Sequence, residues 1–168
     1  VSNRKEDMSY FCLSAFLLFL AACSTIDCPV QNKVAVNYAV KTIVGGVEVN
    51  DTLKDTLYVW STRSDGDDTL IFNSGIDISS FSLPVSYTHP EDKLVFCLVD
   101  TNKVAKIDTV WIKKEDIPHF ESVDCSAHFF HTLTAVRSTH EAIDTIFINN
   151  PKVNYDPSLD HIHIHFKK

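Results

Sequence analysis

From Val34 onward the chain alternates apolar and polar residues with a period of two, and no window carries a helical period. Val34, Val36, Tyr38 and Val40 fall on one face of an extended segment, with Lys33, Asn37 and Lys41 on the other. Phe81, Leu83, Val85 and Tyr87 alternate with Ser80, Ser82, Pro84 and Ser86, so the serines mark a solvated face. Pro84 has no amide N–H to give a ladder, which puts this strand at a sheet edge or at a bulge. Further strands are expected over 56–62, 69–72, 93–99, 109–113, 129–137, 145–148 and 161–166. Gly45-Gly46 between two β-branched runs predicts a hairpin turn, and Ser64 to Asp68 predicts another. Many short strands separated by turns predict an all-β body: an antiparallel, immunoglobulin-like β-sandwich forming a single domain.

Several strands open with the same triplet of Asp, Thr and an aliphatic residue: Asp55-Thr56-Leu57, Asp68-Thr69-Leu70, Asp108-Thr109-Val110 and Asp144-Thr145-Ile146, with Asp51-Thr52-Leu53 nearby. Asp hydrogen-bonds backbone at the end of a turn and β-branched Thr suits the first strand position. The spacing between triplets is irregular, which excludes a solenoid or propeller repeat.

The start of the chain has a different pattern. An apolar run from Phe11 to Leu20 closes on Leu20-Ala21-Ala22-Cys23, with Arg4 and Lys5 before it. The run has the length of a secretory signal core and is too short to span a bilayer, and small residues before a cysteine form a lipoprotein cleavage site. Residues 1–22 are therefore expected to be a signal peptide, Cys23 the lipidated first residue of the mature chain, 23–32 a short tether and 33–168 the β domain. Each buried acyl methylene contributes about 0.8 kcal/mol, so several chains on one cysteine hold a protein on a membrane without a spanning helix.

Net charge sharpens the choice of partners. The chain carries -7 at pH 7, a value unchanged by removing residues 1–22, because Arg4 and Lys5 leave with Glu6 and Asp7. Such a surface repels phosphate backbones, which argues against nucleic acid and against electrostatic docking on anionic lipid. The expected partners are the membrane, through the anchor, and an envelope protein or glycan. Of the five cysteines, Cys12 departs with the signal and Cys23 takes lipid. Cys97 lies inside the unbroken apolar run Leu94 to Val99, as in a strand buried on both faces, where cysteine acts as a small hydrophobe. That leaves Cys28 and Cys125 to pair in an oxidising compartment, closing a loop worth roughly 4.7 kcal/mol in the chain-entropy model.

The lipoprotein motif, Asp27-Cys28-Pro29, the segments Ser80 to Tyr87 and His119 to Cys125, and Ile143-Asp144-Thr145-Ile146 together resemble the small Bacteroidota lipoproteins that carry domain of unknown function 6452. The resemblance spans nearly all of the mature chain and brings no activity with it. It implies a lipid-anchored envelope protein with one cysteine near the anchor and another before the late Phe-rich strand, in keeping with a Cys28 and Cys125 pair. Cys97 and the histidine-rich end lie outside the resemblance. The phylum it points to also gives the triplets a second meaning, because its exported proteins are O-glycosylated at Asp followed by Thr or Ser and an aliphatic residue. Thr52, Thr56, Thr69, Thr109 and Thr145 match, and Thr52, in an expected turn, is the best placed for solvent.

Chemistry-bearing groups concentrate in the last run, where His161, His163 and His165 alternate with Ile162, Ile164 and Phe166. On a strand this places three imidazoles on one face, and two of them two residues apart can share a zinc ion; His119, His128, His131 or His140 are candidates for a further ligand. The plainer account is a C-terminal strand whose polar face is histidine, and such a face gains charge near pH 6.5. Asp65-Gly66-Asp67-Asp68 has oxygen donors but lacks the later bidentate Glu of a calcium loop, and reads as a hairpin tip. Trp60, Trp111, Phe129 and Phe130 are expected in the core rather than in a cleft. The four glycines form neither a phosphate cradle nor a nucleophile elbow, so no catalytic residues are assigned. The resulting expectation is a noncatalytic outer-membrane lipoprotein, structural or binding, facing the periplasm in preference to the cell surface. No cofactor is assigned beyond the lipid on Cys23. A metal-binding envelope protein using the histidine strand, with zinc, is the alternative.

Overall fold

A computed structural model describes residues 34–62, 66–122, 125 and 127–168. These form the strands β1 (Ala35–Val44), β2 (Val47–Asn50), β3 (Thr56–Thr62), β4 (Asp68–Gly75), β5 (Ser80–Pro84), β6 (Glu91–Val99), β7 (Ala105–His119), β8 (His128–Ser138), β9 (Ile143–Ile148), β10 (Lys152–Val153) and β11 (Ile162–Phe166), and no helix appears among them. One sheet has the order β2-β1-β11-β9 with β5 also on β1; the other runs β10-β8-β7-β6-β3-β4. The expected strands are present, except that the run read through Val85 and Tyr87 ends as a strand at Pro84; β2 is the second arm of the Gly45-Gly46 hairpin, and the two-residue β10 is additional. Pro84 closes β5, which pairs with β1 alone, so the missing N–H falls at an edge. Gly45 and Gly46 take φ +62° and +83°, the left-handed pair that a two-residue hairpin demands.

The alternation read in the sequence is what builds the interior. Val36, Tyr38 and Val40 of β1, Phe81 and Leu83 of β5, and Ile162 and Ile164 of β11 face Leu57, Val59, Leu94, Phe96, Leu98, Val110 and Ile112 of the other sheet, and all are buried. The Tyr38 ring stacks on Phe81 at 4.7 Å and meets Phe96 of the opposite sheet at 6.1 Å. Each such large side chain removed from water contributes roughly 1.5–3 kcal/mol.

Three expectations are corrected here. The sheets are not wholly antiparallel, because β1 and β11 run parallel with Tyr38, Ala39 and Val40 opposite Ile162, His163 and Ile164. Parallel neighbours need a crossover between them, and here that crossover is the rest of the domain. Cys97 is free, but it is half-buried on the outer face of β6 between Tyr58 and Ile107, since only the Leu94, Phe96 and Leu98 face meets the second sheet. Trp60 and Trp111 also lie on that half-exposed outer face, where the Arg137 guanidinium stacks 3.9 Å above the Trp111 ring.

The chain passes between sheets at β2–β3, β4–β5, β5–β6, β8–β9, β9–β10 and β10–β11. Each passage removes amides from a ladder near the apolar interior, where they need other partners. At β8–β9 the partner is Asp108 of β7, which has no exposed surface. Its Oδ1 accepts from Thr139 Oγ1 at 2.7 Å and the Glu141 amide at 2.6 Å, and its Oδ2 from the Ala142 and Ile143 amides at 2.6 and 2.8 Å. His140, with φ +64°, turns the chain so that three consecutive amides converge on one anion. Burial works to raise the Asp108 pKa, but these donors hold it below the ordinary carboxylate value.

A second polar group pins β5–β6. Lys114, buried on β7, donates from Nζ to the His89 carbonyl and lies 3.4 Å from Asp116 and 3.9 Å from Asp92, while its amide donates to the Pro90 carbonyl. Asp92 accepts the Ser86 amide at 3.1 Å, and Asp116 accepts from His131 Nδ1 at 2.6 Å.

Replacing Asp108 by Ala leaves three amides at the crossover without an acceptor, each costing about 1–3 kcal/mol when buried. Denaturant unfolding of Asp108→Ala is expected to show a loss of at least about 3 kcal/mol, with Asp108→Asn, which keeps one acceptor oxygen, falling between it and the wild type. A loss below about 1 kcal/mol for the alanine variant contradicts the assignment.

Candidate functional site

The histidine run does not form one face. β11 begins at Ile162, so His161 precedes the strand, and its ring turns to the backbone of β1 instead of following His163 and His165. His161 Nδ1 accepts the Asn37 amide at 2.9 Å, while the His161 amide donates to the Asn37 carbonyl at 3.0 Å. Asn37 also donates from Nδ2 to the Leu159 carbonyl at 2.9 Å, which fixes the β10–β11 passage against β1. An Nδ1 that accepts carries no proton, so the ring is the neutral Nε2–H tautomer. Burial lowers the His161 pKa, outweighing the hydrogen bond to the Lys152 backbone and the pull of Asp160 and Asp156.

His163 and His165 do share a face, the outer one of their sheet, and converge on Glu48. Glu48 arrives by register. It sits opposite Ile43 in the β1–β2 hairpin, and His163 sits opposite Ala39 on the other side of β1, so the carboxylate lies over the same face. Its Oε2 accepts from His163 Nδ1 and its Oε1 from His165 Nε2, both at 2.7 Å. Burial works to raise the Glu48 pKa, but hydrogen bonds from His165 and His163 and their charge bring it below the ordinary value. Phe147 of β9 packs edge-on against His163 at 5.3 Å, keeping both imidazoles almost fully covered.

Ile43, Gly46, Glu48, Asp144, Thr145, Phe147 and His165 line an open cavity of ≈ 440 Å³ beside this pair. Because each ring donates one N–H to the carboxylate, its other nitrogen, Nε2 of His163 and Nδ1 of His165, is the accepting one in the neutral form. A carboxylate behind an imidazole is also how metal-bound histidines are oriented. Among the described residues, no group of three His, Cys, Asp or Glu is arranged to hold a metal ion, and the three-imidazole arrangement of His161, His163 and His165 is not formed. Sequence reading missed Glu48, whose only signal is its alternation with Val47 and Val49.

The remaining sites separate in space. Cys23 and Cys28 lie outside the described residues, so the lipid site and the pairing of Cys28 with Cys125 do too, as does Asp65 of the acidic turn. Thr69 and Thr145 are exposed, whereas Thr52, Thr56 and Thr109 are half-buried. Thr52 is not the best presented of the five, because its segment is an inter-sheet passage rather than an open turn: the Asp51 amide donates to Val40 and the Leu53 amide to Ile78.

A His161 held neutral makes folding depend on pH in one direction. The unfolded ring takes up a proton near its ordinary value of 6.5 and the folded ring only below it, so stability is complete above that pH and declines as pH falls through the folded pKa. Ring nitrogen NMR at pH 6.5 should report His161 as the neutral Nε2–H tautomer; a doubly protonated His161 at that pH contradicts the geometry.

Among the described residues no helix is long and apolar enough to cross a membrane. No curated protein and no solved structure matches the chain. A family model does match, over residues 56–166, from the start of β3 to the end of β11. The span takes in Asp108, Lys114 and all three C-terminal histidines, and leaves β1 and β2, with Glu48, outside it. By this match the chain belongs to the family of unknown function DUF6452.

Proposed function

We propose that this chain is a noncatalytic, lipid-anchored component of a bacterial outer membrane, facing the periplasm and acting by binding an envelope protein or glycan. The observation that carries the reading is the apolar run closing on Leu20-Ala21-Ala22-Cys23. Its body is read as an immunoglobulin-like sandwich, supported by two sheets closed over one core. The tether joins that body through Cys28 and Cys125, with Cys97 left free. A binding role is supported by how the buried acid and base groups are occupied: four donors fill Asp108, Asp116 holds both Lys114 and His131, and the Asn37 amide takes His161 Nδ1.

The Glu48 clamp favours a second reading, in which the accepting nitrogens of His163 and His165 bind zinc with further ligands from a partner. One preparation tests both. Protein isolated from native membranes without chelator should show an acylated Cys23 by mass spectrometry and no stoichiometric zinc, and Cys23→Ala should move it to the soluble fraction. An unmodified Cys23, or a variant that stays on the membrane, overturns the anchored reading; zinc that disappears with His163→Ala establishes the second.

A further inference from the structure

β7 and β8 extend beyond β6 and the strands on its far side. Pairing of β6 with β7 ends at Glu91 and Lys113, whereas β7 continues to His119 paired only with β8. This arm, joined by β10 on the β8 side at His131 and Thr132, carries exposed apolar groups that the core does not use: Ile117, 49% exposed, on its outer face, Phe120, 64%, at its end, and Tyr87 of the β5–β6 passage, 62%, over its inner face. Aromatic packing supports them on both faces of the arm. Tyr87 stacks flat on Phe129 at 5.0 Å, His119 on Phe130 at 4.3 Å, and Tyr155 meets Phe130 edge-on at 4.8 Å.

The arm lies at the end of the molecule where the tether enters. Ala35, the first residue of β1, is opposite Pro84, and from there the chain leads through Tyr87 to Glu91. The stretch from Cys23 to Ala35 reaches at most about 40 Å, and a Cys28–Cys125 bond would shorten the free reach from the lipid to about 17 Å. A second apolar group, Ile43, Val44 and Val47, crowns the β1–β2 hairpin at the opposite end of β1, roughly 30 Å along the strand. With Cys28 bonded to Cys125, a bilayer holding Cys23 lies nearest the arm.

We infer that Tyr87, Ile117 and Phe120 form a membrane-contact patch wrapped around the end of the arm, with Tyr87 and Ile117 on its two faces, which seats the arm in the interface of the bilayer holding the anchor, an inference that rests on the lipid-anchored reading. Ring-bearing side chains suit that zone, where one part of the group meets acyl chains and the rest meets water. The lipid is zwitterionic. Asp116 is paired with Lys114 and His131, which leaves Glu115 on the arm, with Glu121 beside it 3.8 Å from His119 Nε2, and the chain carries a net charge of -7, so an anionic surface would be repelled. Seating fixes which way the body faces: the Glu48 clamp, close to the hairpin end, points away from the lipid.

The test uses the full acylated protein in phosphatidylcholine and phosphatidylethanolamine vesicles doped with a photoactivatable diazirine phosphatidylcholine. Adducts are mapped by mass spectrometry, and the acyl mass on Cys23 is read from the same sample. Adducts should concentrate on peptides holding Tyr87 and Ile117 to Phe120 and fall several-fold in a Tyr87→Ser, Phe120→Ser variant whose circular dichroism is unchanged. An acylated Cys23 with adducts on Ile43 to Val47, or with none on the body, overturns the patch and leaves the anchor standing. A Cys23 without acyl mass overturns both.

Discussion

A carboxylate with no exposed surface, saturated by four donors, is the constraint around which this fold closes. Asp108 does not pack a core position; it receives the amides of the β8–β9 passage at the point where the chain leaves one sheet for the other. A buried charge costs several kcal/mol when unpaired, and the buried Ala142 and Ile143 amides with the half-buried Glu141 amide, left without an acceptor, cost a comparable amount. Brought together, each removes the other's penalty. The same exchange recurs where Lys114 meets the His89 and Pro90 carbonyls, and where His161 and Asn37 trade amide, carbonyl and ring nitrogen. Two sheets share one interior here because the passages between them carry their own partners.

This explains which parts of the fold were legible in the sequence. Alternation is local, so β1, β3, β5 and β6 could be placed from the order of apolar residues alone, and Gly45-Gly46 marked its hairpin. Pairing is not local. Nothing in Val34 to Val40 or in His161 to Phe166 announces that the two segments lie side by side in parallel, and the outer face of β6 could not be told from a covered one, which misplaced Cys97. Asp108 was hidden by resemblance: Asp55, Asp68 and Asp144 precede the same Thr and aliphatic residue, yet Asp108 alone among them is fully buried. What distinguishes it is His140 and the turn that follows, more than thirty residues further along.

The histidine run shows the same division. Period two correctly joined His163 to His165, and the boundary of β11, set by where Asn37 captures the chain, separated His161 from them. Glu48 belongs to the site through register alone, since it reaches the imidazoles across β1 from a neighbouring strand. In the anchored reading the molecule then has two unlike ends, an aromatic arm beside the tether and a carboxylate-clamped histidine pair away from it, with the rigid interior between them.

The most direct measurement of the central claim is native-state hydrogen exchange at the Glu141, Ala142 and Ile143 amides. If Asp108 holds the inter-sheet passage as part of the folded unit, these amides exchange only with global unfolding, as slowly as those of Phe96 and Val110 in the core strands. Exchange of the three at the rate of an open loop, with the core strands still protected, would contradict the account.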